Sequence, residues 1–339
     1  MSTRLSRLAE ISAFWVALVI LGAAAGVGCE VSSSPSATLS SPKLTRVDSA
    51  RAAGRTLRIV SINPSLTAIL LALGARQTLV GVDDFSAQQQ PELQDLPRVG
   101  GLFNPSLEAV AALEPDAVVL VPSVEQRDFR NRLEAIGIPV VVFENIRFEQ
   151  VLKNIRVLGE LVAREAEADA RVEAIRSARA AAQQVTASRA APRTLLVLQR
   201  DPVFVVGSGG FLDELLGWAG ADNLGARFDD PYPQVAVEWL VDVAPEILID
   251  MTAEPGEPLE FWSRWPAIPA VAAGRVLHLD PQVVILPGPF LDRSIRALVE
   301  TLHGASAAAE LAALLEQTDA ETIRTKARSR TRTRAGADG

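Results

Sequence analysis

The stretch PSLEAVAALEPDAVVLV, residues 105–121, is written again in altered letters as VAVEWLVDVAPEILIDM, residues 235–251. In each copy a glutamate (Glu108, Glu238) opens an apolar run at helical spacing. A proline follows seven positions later (Pro115, Pro245), then an acid (Asp116, Glu246), then an aliphatic run. A short amphipathic helix, a proline break and a buried strand make one unit of a parallel α/β sheet. Two such units imply a pair of related lobes; a solenoid would need at least three repeats.

The surrounding sequence extends each unit. In the first half LRIVSI (57–62), TLVGVD (78–83), DAVVLV (116–121) and IPVVVF (138–143) read as strands, separated by helices at 63–75, 104–115 and 127–137. Asn63 and Asn104 stand where N-caps belong, each followed by a proline suited to a first helical turn. In the second half TLLVLQ (194–199), a hairpin-like DPVFVVGSGGF, a helix FLDELLGWAGADN (211–223), a strand AGRVLHLD (273–280) and a closing helix (290–304) repeat the alternation. Between the halves, residues 147–189 carry no strand signal and place Val151, Ile155, Leu158 and Val162 at helical spacing. They read as connecting helices. The fold class expected is therefore α/β, with two pseudo-symmetric lobes built on central parallel sheets and joined by a long backbone helix. The lobes span 57–146 and 191–305, the connector 147–190, and 306–339 is expected to be a helix remnant followed by a basic disordered tail.

Composition narrows the function. The chain has 339 residues, 48% of them hydrophobic, and a net charge of −8. That acidity argues against nucleic acid, which recruits a basic face. Two histidines and one cysteine fall short of the four ligands of a structural zinc site built from His and Cys, and one cysteine makes no internal disulfide. VFVVGSGG lacks both the dinucleotide and the P-loop spacing, and the chain has no G-x-S-x-G elbow. Asp83 and Asp84, adjacent at a strand end, point apart and make no catalytic pair. No catalytic residue, metal ligand or cofactor is expected, and the chain reads as a non-enzyme.

The N-terminus has the order of an export signal. Arg4 and Arg7 precede an apolar run, Ile11 to Val27, and small residues lead to Cys29. As a helix the run measures about 25 Å, short for a bilayer span. Residues 1–29 resemble a lipoprotein signal ending at a lipidated Cys29, with cleaved secretion or an uncleaved anchor as alternatives. Residues 30–56, rich in Ser, Ala and Pro, read as a flexible tether. The expected place is outside the cytoplasm, in the periplasm or on the cell surface, anchored through Cys29.

Taken in order, RIVSINPSLTAILLALGA, LVGVDDFS, LPRVGGLFNPSLEAVAALEPDAVVLV, LEAIGIPVVVF, FLDELLGWAGADNL, PYPQVAVEWLVDVAPEILI and LPGPF resemble the class III substrate-binding proteins of ABC importers, which handle vitamin B12, ferric siderophores and haem. The resemblance covers residues 57–304. It implies a monomer whose paired glutamates, here Glu108 and Glu238, dock to the two permease subunits. An acid in a first helical turn is also what the helix dipole favours by about 0.3–1 kcal/mol. It further implies a ligand between the lobes, beyond the carboxyl ends of the strands. The residues expected there are Pro64, Phe85, Leu102, Phe103, Ser208, Phe211, Tyr232, Val283 and Val284, with Arg98 and Arg227 as nearby cations. Where the resembled position of Leu102 carries an aromatic in cobalamin and haem binders, this chain has Leu. A cobalamin-like corrinoid is the first expectation, a neutral or hydroxamate ferric siderophore the second and haem the third. A tethered sensor or scavenger not coupled to transport would share the fold. Trp218 and Trp239 are expected in the core, Trp262 and Trp265 over a lobe edge, and His278 packed in a strand.

Overall fold

The computed structural model describes residues 45–121, 126–252 and 257–335. Cys29 and most of the expected tether lie outside them. The first described element, α1 (Thr45–Ala52), is a helix within the stretch read as flexible. Val47 and Ala50, three positions apart, are buried at its inner face. Arg51 donates to the carbonyls of Glu160 and Leu161, at the free C-terminal end of a later helix, where a cation is favoured. Residues 45–52 are therefore docked on the fold and not part of a flexible tether.

The first lobe comprises β1 (Ile59–Ile62), α2 (Pro64–Ala72), β2 (Leu79–Val82), α3 (Asp84–Gln89), α4 (Leu107–Ala112), β3 (Ala117–Leu120), α5 (Gln126–Ala135) and β4 (Val140–Val142). Its sheet is parallel throughout, in the order β2-β1-β3-β4. β1 and β3 are buried at every position, as expected of strands covered on both faces. Asn63 caps α2 as read, accepting from the Ser65 amide at 2.9 Å. The cap of α4 is Ser106 rather than Asn104: its hydroxyl accepts from Ala109, while Pro105 bridges back to Gly100. The turn at 100–105 uses up the residues that the NPSL pattern assigned to a helix start.

The connector is α6 (Phe148–Val162) and the 22-residue α7 (Glu165–Thr186), about 33 Å long at the standard rise. Val151, Ile155 and Leu158 are fully buried, as their spacing requires. The start of α6 is stitched to the second lobe. The Phe148 amide donates to Glu214 at 2.9 Å, and its ring meets Trp218 edge-on at 4.2 Å. Arg179 of α7 lies over Trp218, with 4.2 Å to the ring centre.

The second lobe comprises β5 (Arg193–Arg200), β6 (Val203–Val205), α8 (Phe211–Trp218), β7 (Asp222–Asn223), β8 (Gln234–Val235), α9 (Val237–Val243), β9 (Ile247–Asp250), α10 (Pro258–Trp262), α11 (Pro269–Ala272), β10 (Val276–His278) and α12 (Pro281–Val284). Its sheet is mixed. β10, β9, β5 and β7 pair in parallel, whereas β6 and β8 are antiparallel, because a tight turn at residues 201–202 folds β6 straight back on β5. Trp262 does not cover an edge: it is fully buried and donates to Asp250 at 2.6 Å. Trp218 and Trp239 pack against the core from partly buried positions. His278 is exposed, its Nδ1 3.1 Å from the Asp250 carbonyl.

The closing helix α13 (Leu291–Ala335) breaks at Gly304 (φ 79°, ψ 179°) and then resumes, so residues 305–335 are helical rather than disordered. It lies along α7, burying Ile295, Leu298, Leu302, Ala307 and Leu311. The ion pairs Arg171–Asp292 and Arg189–Glu310 hold it at either end of that contact. Leu291–Thr318 is apolar and long enough to cross a membrane by composition, yet here it braces the connector.

The repeated phrase is matched in several of its supporting contacts. Glu114 (φ 44°) and Ala244 (φ 48°) are both left-handed residues before the proline. Asp116 accepts the Arg58 amide at 2.9 Å, and Glu246 accepts the Arg193 amide at 3.0 Å. Arg58 and Arg193 donate side-chain bonds to the helix-end carbonyls of Leu113 and Val243. In each lobe the proline, the acid and an arginine thus lock one helix end to the central strand.

Candidate functional site

In a parallel sheet the strand carboxyl ends are where loops can gather around a ligand. In the first lobe three such loops are tied together. The Asp83 amide donates to the Ser61 carbonyl at 3.1 Å, and the Asp84 amide to the Gly100 carbonyl at 3.0 Å. Pro64, Phe85 and Leu102 are buried and Phe103 is half-buried. Gly100 has φ +100°, and a Cβ there would lie 3.0 Å from the Asn104 carbonyl, so the turn carrying Leu102 and Phe103 needs glycine.

Beneath these loops is a polar chain that the sequence reading missed. Asp83 is fully buried, accepts the Phe85 and Ser86 amides at 3.0 and 2.8 Å, and accepts the Ser86 hydroxyl at 2.5 Å. Ser86 continues to Thr67 at 3.1 Å and Thr67 to Ser61 at 2.8 Å. Burial pushes the Asp83 carboxyl from 3.8 up to about 6, against the hydrogen bonds that favour its anion. The folded state therefore holds this proton more tightly than the unfolded chain. The stability that proton carries is complete below pH 4 and is lost as pH rises through 6, by roughly 3 kcal/mol at most. Asp83→Asn should flatten that part of the stability profile. Urea titrations of both proteins between pH 4 and 7 test this, and an unchanged slope in the variant would exclude Asp83 as its source.

In the second lobe the glycine loop 206–210 is bound to the segment 228–233. Gly207 donates to the Pro231 carbonyl at 2.9 Å and Ser208 to the Phe228 carbonyl at 3.3 Å. Asp213, in the first turn of α8, accepts from Gly209 at 3.2 Å and from Asn223 at 2.9 Å, fixing the loop from below. Tyr232 is half-buried, and its amide closes a turn on Asp230 at 2.8 Å. A Cβ on Gly210 would reach 3.4 Å from its hydroxyl. Desolvation raises the pKa of that hydroxyl, which keeps it a neutral donor. Phe211 is buried at the start of α8. The structure thus gathers Ser208, Phe211 and Tyr232.

Val283 and Val284 separate. Val283 is 39% exposed, whereas Val284 is fully buried in the main core, because Asp280 caps a short helix that turns the two side chains apart. Val284 is buried, as are Pro64, Phe85, Leu102 and Phe211. Arg98 and Arg227 are both exposed. A single buried cluster runs from Phe85 through Phe148 and α7 to Phe211 and Val284, so both loop sets stand on one core.

Glu108 and Glu238 occupy the first turns of α4 and α9 and are both exposed. Their neighbours follow the same pattern of exposure, residue by residue, over 105–110 and 235–240.

Comparison with known proteins agrees with this architecture. The chain is 25% identical over 250 residues to a vitamin B12-binding protein of Vibrio parahaemolyticus, covering 72% of this chain and 87% of that one. It is 28% identical over 253 residues to the uncharacterized ABC transporter substrate-binding lipoprotein YvrC of Bacillus subtilis, covering 73% and 80%. Among solved structures, the apo periplasmic haem-binding protein RhuT from Roseiflexus sp. RS-1 superposes with a TM-score of 0.64 at 22% identity, covering 75% of this chain and 99% of that one. The sequence pattern of the periplasmic binding protein family matches residues 59–283. With two α/β lobes on a helical connector and a match across both, the chain belongs to the periplasmic binding protein family, as a non-enzymatic substrate-binding protein of the ABC importer type.

Proposed function

We propose that this protein is tethered to the membrane through Cys29 and delivers a cobalamin-like corrinoid or a ferric siderophore to a permease dimer. The observation that carries this reading is the paired presentation of Glu108 and Glu238, exposed at equivalent places in two related lobes. Two acids at fixed spacing can engage two cationic pockets at once. Each exposed ion pair is weak, but the second binds at the high effective concentration set by the first.

The vitamin B12-binding relative supports a corrinoid ligand. Phe103, Tyr232 and Val283 keep part of their apolar surface accessible, which suits contact with a large, partly flat molecule. Among the described residues no group of three His, Cys, Asp or Glu side chains is placed to hold a metal ion. Haem, bound by a protein of the same fold, is the alternative ligand.

Both halves of the reading can be tested together. Glu108→Ala/Glu238→Ala should leave thermal stabilisation by cyanocobalamin or a ferric hydroxamate unchanged and reduce ATP-driven uptake at least about tenfold, the equivalent of 1.4 kcal/mol of lost docking. Uptake at the wild-type rate with ligand binding intact would remove the two glutamates as the docking contacts and with them the observation that carries this reading. Stabilisation by haem alone would replace the ligand and keep the docking.

A further inference from the structure

Helix α6 begins on a residue that cannot cap it. Position 147 is where Ser, Thr, Asp or Asn would accept an exposed amide of the first turn, and it is an arginine, which has no acceptor. The Arg147 amide is met locally, by the Gln150 side chain at 2.8 Å. The Phe148 amide is met from the second lobe: Glu214 of α8 accepts it at 2.9 Å and takes Arg147 at 3.4 Å. A carboxylate is what the positive end of a helix favours. Here it is supplied from 66 positions away, by the other half of the molecule.

Three elements meet at this point. Phe148 is buried, edge-on to Trp218 of α8. Arg179 of α7 lies over both rings, 4.2 Å from the centre of Trp218 and 5.5 Å from that of Phe148. Glu149 pairs with Arg176 and Arg179 at 3.5 and 3.4 Å, tying the first turn of α6 to α7. Toward the first lobe, the Asn154 side chain donates to the Glu144 carbonyl at 2.7 Å, just beyond the end of β4. The start of α6 is thus bound to the last strand of the first lobe on one side and to α8 of the second lobe on the other. Asp213 and Glu214 are neighbours on α8, and successive helical residues face about 100° apart. Asp213 holds the Gly209 amide and Asn223, whereas Glu214 holds the connector. One helical turn carries both the glycine loop and the contact between the lobes.

We propose that Glu214 is a positioning residue: it caps α6 from the second lobe and, with Trp218, sets the register of the two lobes and hence the spacing of Glu108 from Glu238. The bearing of that spacing on delivery rests on the docking reading above; the register itself does not. The amide bond and the stacked rings supply the hold, since the pair with the exposed Arg147 is screened by water.

The test uses the full chain carrying Cys29→Ser, so that Ala112→Cys and Asp242→Cys bear the only spin labels. Both positions are exposed and lie four residues beyond Glu108 and Glu238. Distances between the labels should form one narrow distribution. Glu214→Ala/Trp218→Leu should broaden it about twofold or more. The conservative Glu214→Gln/Trp218→Phe should keep it narrow, because an acceptor oxygen and a ring remain. Leu248→Ala opens a cavity in a core cluster confined to the second lobe and reports destabilisation alone. It should lower the thermal midpoint and leave the distribution narrow. No broadening in Glu214→Ala/Trp218→Leu, or equal broadening in the conservative variant or in Leu248→Ala, overturns the proposal. Broadened distances with ATP-driven uptake at the wild-type rate would support the register and count against the docking reading instead.

Discussion

Asp250→Ala is expected to destabilise the protein by about 3–5 kcal/mol, lowering its thermal midpoint by roughly 10 °C. Asp250 ends β9 and is fully buried. It accepts Arg200 at 2.9 Å and Trp262 at 2.6 Å on one oxygen, and the Thr252 amide and hydroxyl at 2.9 and 2.7 Å on the other. The Arg200 guanidinium is itself only 4% exposed and stacks over Phe261, with 4.7 Å to the ring centre. Removing the carboxylate deprives a buried cation of its counter-charge and three further donors of their acceptor. Asp250→Asn should cost less, because an amide oxygen still serves Thr252 or Trp262. The pair Arg200→Met/Asp250→Leu should recover at least half of the loss, since two apolar groups carry no charge to desolvate. Chemical denaturation of the four proteins checks the series. A double variant as unstable as Asp250→Ala would show that shape, and not charge, dominates the site.

How far the sequence could be read depends on whether a signal was local. The duplicated phrase announced the lobes because proline, acid and helix spacing all lie within seventeen residues, and those same residues make the equivalent contacts in both copies. The connector was equally legible, since Val151, Ile155 and Leu158 mark one helical face. The hairpin-like stretch at 201–211 announced the return of β6, but β8 was not legible, because QV alone carries no mark of a strand. Neither was the docking of α1, whose composition is that of a linker and whose order comes from carbonyls about 110 positions away. At the site, the glycines and Tyr232 stood out by type. Asp83 did not: its importance comes from Ser61, Thr67 and Ser86, which only the fold assembles. The separation of Val283 from Val284 likewise follows from a four-residue helix that no periodicity announces.

Gly207→Ala is expected to part the second lobe's 206–210 and 228–233 loops and to cost about 3 kcal/mol or more. A Cβ at residue 207 would stand 1.9 Å from the Asp230 carbonyl oxygen and 2.7 Å from the Pro233 ring. Both are parts of the segment that presents Tyr232, and Gly207 is hydrogen-bonded to that segment through the Pro231 carbonyl at 2.9 Å. A backbone oxygen cannot rotate away as a flexible side chain could, so the two loops must separate. Overpacking by one carbon costs 1–3 kcal/mol where side chains can yield, and more where backbone must move. The hydrogen bond at Gly207 is lost in the same motion, and the spacing of Ser208 from Tyr232 changes with it. Gly217→Ala supplies the control. It lies in α8 of the same lobe with no atom within 4 Å of the added carbon, and should stabilise by about 0.5–1 kcal/mol through helix propensity. Ligand titrations of both variants at a temperature where each is folded separate site damage from instability. Gly207→Ala should bind at least tenfold more weakly while Gly217→Ala binds as the wild type does. Equal affinities for both would mean that the 206–210 and 228–233 loops lie outside the ligand site, and would move the site to the first lobe's loops alone.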